Sequence, residues 1–129
     1  MYLKCVPNQE LYMQNSLEIN DKYELLVSTL NLILLPVKEI GIPYSDTLMS
    51  CLEELEGDYY TFLNEKYVYE LWENGKLSEN VVDIIKDIRL KIECIAQNKW
   101  NVEDFVIDKS WKEVRERVAD LYLLGLKFC

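Results

Sequence analysis

The sequence predicts an all-α protein, a single compact bundle of five to six helices that spans residues 1–129 as one domain. Half of its residues are hydrophobic, which is enough to build a core without disulfides or a metal ion. Only four glycines and three prolines interrupt the chain. The apolar residues recur every third or fourth position, which is the period of one helix side.

Two helices are predicted at the start of the chain. A short first helix covers about Gln9 to Ser16, and a second begins at Asn20 or Asp21. Pro36 ends or kinks the second helix because it has no amide hydrogen to donate. The apolar residues of this second helix are Leu25, Leu26, Leu30, Ile33 and Leu34. A Gly-Ile-Pro turn at residues 41–43 follows it.

The third predicted helix is capped by Ser45 and Asp46. Its apolar stripe consists of Leu48, Leu52, Leu55, Tyr59 and Phe62. Gly57 lies on the opposite side of this helix, where a glycine costs stability relative to alanine. Two interpretations of Gly57 stay open: it allows a kink or an end of the helix, or it lets a partner approach the backbone.

Capping residues delimit the fourth and fifth helices. Asn64 caps the fourth, and Asn74 and Gly75 close it in a left-handed conformation. Ser78 opens the fifth helix. The buried stripe of the fifth helix consists of Val81, Ile85, Ile88, Ile92 and Ile95. Its exposed side carries two predicted ion pairs, Asp87–Lys91 and Arg89–Glu93.

The last helix is predicted to begin at a capping box formed by Ser110 and Glu113. The connection before it contains a short helix at about Val102 to Val106. The core residues of the last helix are Trp111, Val114, Val118, Leu121 and Leu124, with Tyr122 at the edge of the stripe. Nearly every position at 121–128 is apolar, so the C-terminal end is expected to be wedged inside the domain.

The charge balance and the missing histidine exclude several classes of function. The chain has 23 acidic and 14 basic residues, a net charge of −9 and a pI near 4.5. Such a surface repels phosphate backbones and anionic lipid, so neither a nucleic-acid nor a membrane partner is predicted. Without histidine or a phosphate-binding glycine loop, we predict no enzyme activity, no cofactor and no metal site.

The strongest enzymatic alternative is a magnesium-dependent all-α nucleotide pyrophosphohydrolase, which binds the ion through paired carboxylates at helical spacing. Three Glu-x-x-Glu pairs match the first half of such a site: Glu53–Glu56, Glu70–Glu73 and Glu113–Glu116. The required Glu-x-x-Asp occurs only at Glu18–Asp21, upstream of all three pairs and therefore in the wrong order. A homo-oligomeric helical adaptor is the third hypothesis, and the oligomeric state is left open.

The cysteine spacing and the N-terminal residues predict a cytoplasmic protein. Cys5, Cys51, Cys94 and Cys129 are far apart and form no Cys-x-x-Cys pair, so we expect reduced thiols. The first residues lack the basic and apolar regions of a signal peptide. The most apolar run is also shorter than the roughly 20 residues of a membrane-spanning helix.

An acidic side of the third helix is the predicted partner-binding site. It comprises Glu53, Glu54, Glu56, Asp58 and Tyr60. Its proposed extension on the fourth helix comprises Tyr69, Glu70 and Glu73. Carboxylates steer a basic partner during association, and an exposed tyrosine can anchor it. The alternative site is the acidic connection that contains Glu103, Asp104 and Asp108.

The C-terminal half of the chain resembles the immunity proteins of bacterial contact-dependent growth inhibition toxins. The resemblance rests on a Gly-Lys-Leu turn at residues 75–77, the long isoleucine-rich helix after it, the acidic connection, and a last helix that opens with Ser-Trp-Lys-Glu-Val-Arg at 110–115. The Asp58-Tyr59-Tyr60 triplet is similar to the acidic, paired-tyrosine recognition helix of nuclease-colicin immunity proteins. The resemblance implies a protein that neutralises a cognate toxin domain, commonly a basic nuclease, by covering its active site or substrate groove.

Overall fold

The computed structural model describes the backbone of residues 8–38 and 46–125 and the side chains of residues 18–34 and 48–125. Six α-helices and one 3₁₀ turn make up this part of the chain, which contains no strand. The helices are α1 (Asn8–Lys38), α2 (Asp46–Phe62), α3 (Glu65–Glu73), α4 (Glu79–Glu93), α5 (Val102–Ile107) and α6 (Lys109–Leu123), and the 3₁₀ turn is Gln97–Lys99. The predicted all-α bundle is therefore confirmed.

The prediction of two N-terminal helices is wrong, because α1 is one continuous helix of 31 residues. The proposed break relied on Asn20 and Asp21, residue types that favour helix ends. Such residues cost only a few tenths of a kcal/mol inside a helix, and no glycine or proline interrupts the chain there. The helix ends two residues after Pro36. The predicted turn at 41–43 and the Ser45 cap lie outside the described residues.

Helices α3 and α4 begin at the predicted caps, and α3 ends at the predicted Asn74–Gly75 closure, whereas α4 ends at Glu93, two residues before the last residue of its predicted stripe. The Asn64 side chain accepts a hydrogen bond from the Tyr67 amide, and Ser78 accepts one from the Val81 amide. Gly75 has a φ of 75°, a conformation that glycine adopts without strain. The Lys76 amide donates to the Leu71 carbonyl oxygen, which completes a Schellman motif.

One hydrophobic core joins all six helices; it includes the predicted stripe of α4 and, from the predicted stripe of α2, Leu52 and Leu55, with Tyr59 packed against it. Helix α1 packs against α2 and α6, and α4 packs against α3 and α6. The Arg115 guanidinium is buried and donates to the carbonyl oxygens of Phe105 and Val106, at 2.6 and 3.1 Å. These bonds satisfy carbonyl groups at the C-terminal end of α5 and thereby fix α5 to α6.

Two predicted details of the last helix are wrong. The N-cap is Asp108 rather than Ser110: the Asp108 carboxylate accepts a hydrogen bond from the Ser110 amide at 2.9 Å. The end of α6 is not wedged inside the domain, because Leu124 is 46% exposed and Leu123 is 85% exposed. The helix ends before Gly125, and residues 126–129 lie outside the described part.

Among the predicted ion pairs, Arg89–Glu93 is confirmed at 3.1 Å. Asp87 instead pairs with Arg117 of α6 at 2.8 Å, so this carboxylate links two helices rather than two turns of α4. No helix in the described residues is long and apolar enough to cross a membrane.

A matched pair of leucines in α6 tests the position of the core. Leu121→Ala should lower the free energy of unfolding by about 2–5 kcal/mol, because it leaves a cavity around a fully buried side chain. Leu123→Ala makes the same chemical change at an exposed site and should alter it by less than about 0.5 kcal/mol. Urea denaturation measures both; equal losses would contradict the described end of α6.

Candidate partner-binding surface

A chain of aromatic rings fixes helix α2 against the other end of the bundle. The Tyr59 ring lies 5.6 Å from Trp100, and Trp100 lies 4.9 Å from Trp111. Trp111 is fully buried, packs edge-on against Phe105 and donates its indole hydrogen to the Lys99 carbonyl oxygen at 3.0 Å. Tyr59 points into this cluster, whereas Tyr60, about 100° further around the helix, is exposed.

The outward side of α2 carries the predicted acidic residues. We call the set formed by Glu53, Glu54, Glu56, Asp58 and Tyr60 the α2 surface. The three glutamates are exposed, and Asp58 is half-buried. The 17 residues of α2 include five carboxylates and no basic residue. Among the described residues, no cation lies within ion-pair distance of any of these side chains.

Asp58 is the carboxylate of the α2 surface whose charged form is least favoured. Partial burial raises its pKa, and no neighbouring cation counteracts the effect. A carboxylate that loses water without gaining a partner is destabilised in its charged form. A cationic side chain brought by another protein would reverse this cost.

Tyr60 is held in place although 64% of it is exposed. The Arg89 guanidinium lies 5.9 Å from the centre of the Tyr60 ring, a cation–π distance. Arg89 is oriented in turn by Glu93, whose carboxylate lies 3.1 Å from its Nε atom. The Tyr59 ring contacts Tyr60 edge-on at 6.4 Å. Tyr60 therefore exposes a large aromatic surface, and ordering its side chain on binding should cost little conformational entropy.

The predicted extension on α3 is divided between two sides of that helix. Tyr69 is 51% exposed and stacks against Trp72 at 5.2 Å, on the side that faces α4. Glu70 lies on the side that faces α1, where it forms an ion pair with Lys22. Glu73 is exposed. Tyr69 and Glu70 thus do not belong to one surface.

On the Glu70 side of α3, Tyr67 and Lys22 form contacts that hold α3 against α1. The Tyr67 hydroxyl donates to the Lys22 carbonyl oxygen at 2.7 Å, which ties α3 to α1. Burial, followed by the charge of Glu70, raises the pKa of Tyr67 to about 12. Since Lys22 also lies 3.4 Å from Glu18, the Glu70 carboxylate is part of an internal network.

A groove between α3 and α4 was not foreseen in the sequence. It encloses about 200 Å³ and is lined by apolar residues from both helices, with charged residues at its edges. We call it the α3–α4 groove; its lining is Leu63, Glu65, Val68, Tyr69, Val82, Asp83, Lys86, Arg89 and Leu90. No sequence pattern could have found it, because its shape depends on how two helices cross.

Two of the three carboxylates in the alternative acidic site already have partners within the protein. Glu103 and Asp104 belong to helix α5, and Asp108 is the single residue between α5 and α6. Asp108 pairs with Lys99 at 2.8 Å, which lowers the pKa of this carboxyl. Asp104 accepts a hydrogen bond from the Asn101 side chain at 2.7 Å. Of the three predicted carboxylates, Glu103 alone is exposed.

The Glu-x-x-Glu pairs do not converge on a common point. Among the described residues, no three carboxylates or thiols are grouped so that they could hold a metal ion. Glu70 is paired with Lys22, and the Glu56 carboxylate lies 3.5 Å from the Gln97 amide nitrogen. The geometry therefore offers no support for the pyrophosphohydrolase alternative.

Comparison with known proteins adds no relative to this description. No protein-family model matches the chain, and neither a curated protein nor a solved structure matches it.

Two glycine substitutions test whether Gly57 lowers the stability of helix α2. Gly57 lies in the middle of α2, and an added Cβ atom would meet nothing within 4 Å. Gly57→Ala should therefore raise the free energy of unfolding by about 0.5–1 kcal/mol. Gly75→Ala should lower it by about 1–2 kcal/mol, because alanine is strained at a φ of 75°. Denaturant melts measure both; destabilisation by Gly57→Ala would show that α2 requires this glycine for its own geometry.

Proposed function

We propose that this protein is an inhibitor of the immunity type, which binds a basic toxin domain through the α2 surface and performs no catalysis. The observation that carries the proposal is the set of four carboxylates on the outward part of α2, Glu53, Glu54, Glu56 and Asp58, none of which has a counter-ion among the described residues. The resemblance of the C-terminal half to immunity proteins supplies the kind of partner.

The α2 surface costs the folded protein stability, which supports a role outside the fold. Glu53 and Glu56 are three residues apart, and Glu54 and Asp58 are four apart, so like charges are neighbours on the helix. Each such pair costs a few tenths of a kcal/mol. The last turn of α2 carries no basic residue to complement the helix dipole. A cationic partner would relieve all of these repulsions.

The residues of the α2 surface should contribute differently to binding because they differ in exposure. The exposed glutamates interact with a distant basic surface through water, so they accelerate encounter and lose this effect in salt. Tyr60 can be fully covered on contact, and tyrosine buried at the centre of an interface contributes much of the binding free energy. Asp58 is already partly desolvated and would pair directly with a lysine or arginine.

A charge-reversal experiment tests the proposal. The probe is the product of the reading frame next to this gene, which the proposal expects to contain a basic toxin domain, and surface plasmon resonance gives both rate constants. Glu53→Lys combined with Glu54→Lys should slow association by about tenfold or more at low salt and weaken its salt dependence. Glu113→Lys combined with Glu116→Lys alters the net charge equally on exposed sites of α6 and should leave association nearly unchanged.

Tyr60→Ala is examined in the same measurement. It should leave the association rate nearly constant and speed dissociation about 30-fold, which corresponds to about 2 kcal/mol. Thermal melts of each variant exclude unfolding as the cause. Equal effects of the α2 and α6 double variants, or no binding of the neighbouring toxin domain, would contradict the proposal.

A further inference from the structure

The α3–α4 groove is a depression lined by five apolar and four charged residues. Buried Leu63 and Val68 form its floor, and Tyr69 and Leu90, each 51% exposed, form its walls. Its volume of about 200 Å³ is below the roughly 300–1,000 Å³ of pockets that hold drug-sized molecules. A groove of this size fits one apolar side chain.

Arg89 connects the α3–α4 groove to the α2 surface. It lines the groove, and its guanidinium lies 5.9 Å from the Tyr60 ring. Tyr60 is one helical turn from Glu56, and side chains at that spacing are neighbours. The acidic residues, the exposed tyrosine and the groove therefore form one continuous face.

The groove lining carries residues of both charges, whereas every charged residue of the α2 surface is acidic. Glu65 and Asp83 line the groove together with two basic residues of α4, Lys86 and Arg89, and Arg89 pairs with Glu93 outside the lining. The groove thus selects for apolar character and not for a sign of charge. The α2 surface beside it selects for a cation.

We propose, resting on the function proposed above, that the α3–α4 groove receives one apolar side chain from a segment of the basic partner whose lysines or arginines contact the α2 surface. The carboxylates and the groove then contribute to binding in different ways. The carboxylates attract the segment, and the groove holds it by covering an aromatic or aliphatic side chain. An extended segment advances about 3.3–3.6 Å per residue, so basic residues two or three positions from the apolar one lie about 7–11 Å from it.

Two synthetic peptides test the groove without a natural partner. One has three lysines on each side of a phenylalanine, and the other has alanine in place of phenylalanine. The probe measurement is the ¹⁵N-labelled amide spectrum of the whole protein at low salt, where charges act over tens of ångströms. Both peptides should shift amides of α2, and the phenylalanine peptide alone should also shift groove amides and bind about tenfold more tightly.

The outcomes separate the groove from the proposed function. If both peptides shift α2 equally and neither shifts the groove, the groove proposal is overturned and the acidic surface stands. If neither peptide shifts α2, the proposed function fails, and the groove proposal fails with it.

A pair of variants adds a second readout. Tyr69→Ala removes one wall of the groove and should reduce the preference for phenylalanine from about tenfold to about twofold. Ile107→Ala truncates a side chain of α5 that is 67% exposed and should leave the preference unchanged. An unchanged preference in a folded Tyr69→Ala protein would overturn the proposal.

Discussion

The packing of Trp111 is the interaction on which the arrangement of the acidic helix depends. Its fully buried ring contacts Trp100 and Phe105, and Trp100 contacts Tyr59 of α2. This chain of rings links the last helix to the acidic one, and together with the packing of α2 against α1 it determines which side of α2 faces the core. Tyr60 and the carboxylates next to it are directed outwards for that reason. The core thus determines which side of α2 another protein can meet.

The acidic helix combines several features that lower stability and contribute no packing. Like charges are neighbours, Asp58 is partly desolvated without a counter-ion, and Gly57 occupies the middle of the helix. Elsewhere in the described residues, six carboxylates pair with a lysine or arginine, as Glu70 does with Lys22 and Asp108 with Lys99. Local conflicts of this kind concentrate where a protein serves something other than its own fold.

The sequence predicted what depends on local chemistry. The caps at Asn64 and Ser78 and the buried stripe of α4 were correct because side-chain type and helical period determine them. The end of α6 was wrong because an apolar run does not show where the bundle surface lies, and Leu123 is exposed. The exposure of the α2 surface was predicted from its period, whereas the groove beside it depends on the crossing of two helices. The function of the α2 surface as a binding site stays a prediction.

Amide hydrogen exchange of the protein in complex with the neighbouring gene's toxin domain tests the central claim most directly. Covering the α2 surface should slow exchange in α2 and in α3, while amides on the exposed side of α6 keep their free rates. Protection restricted to α5 and the 3₁₀ turn before it would contradict the account and place the interface on the acidic residues around Glu103.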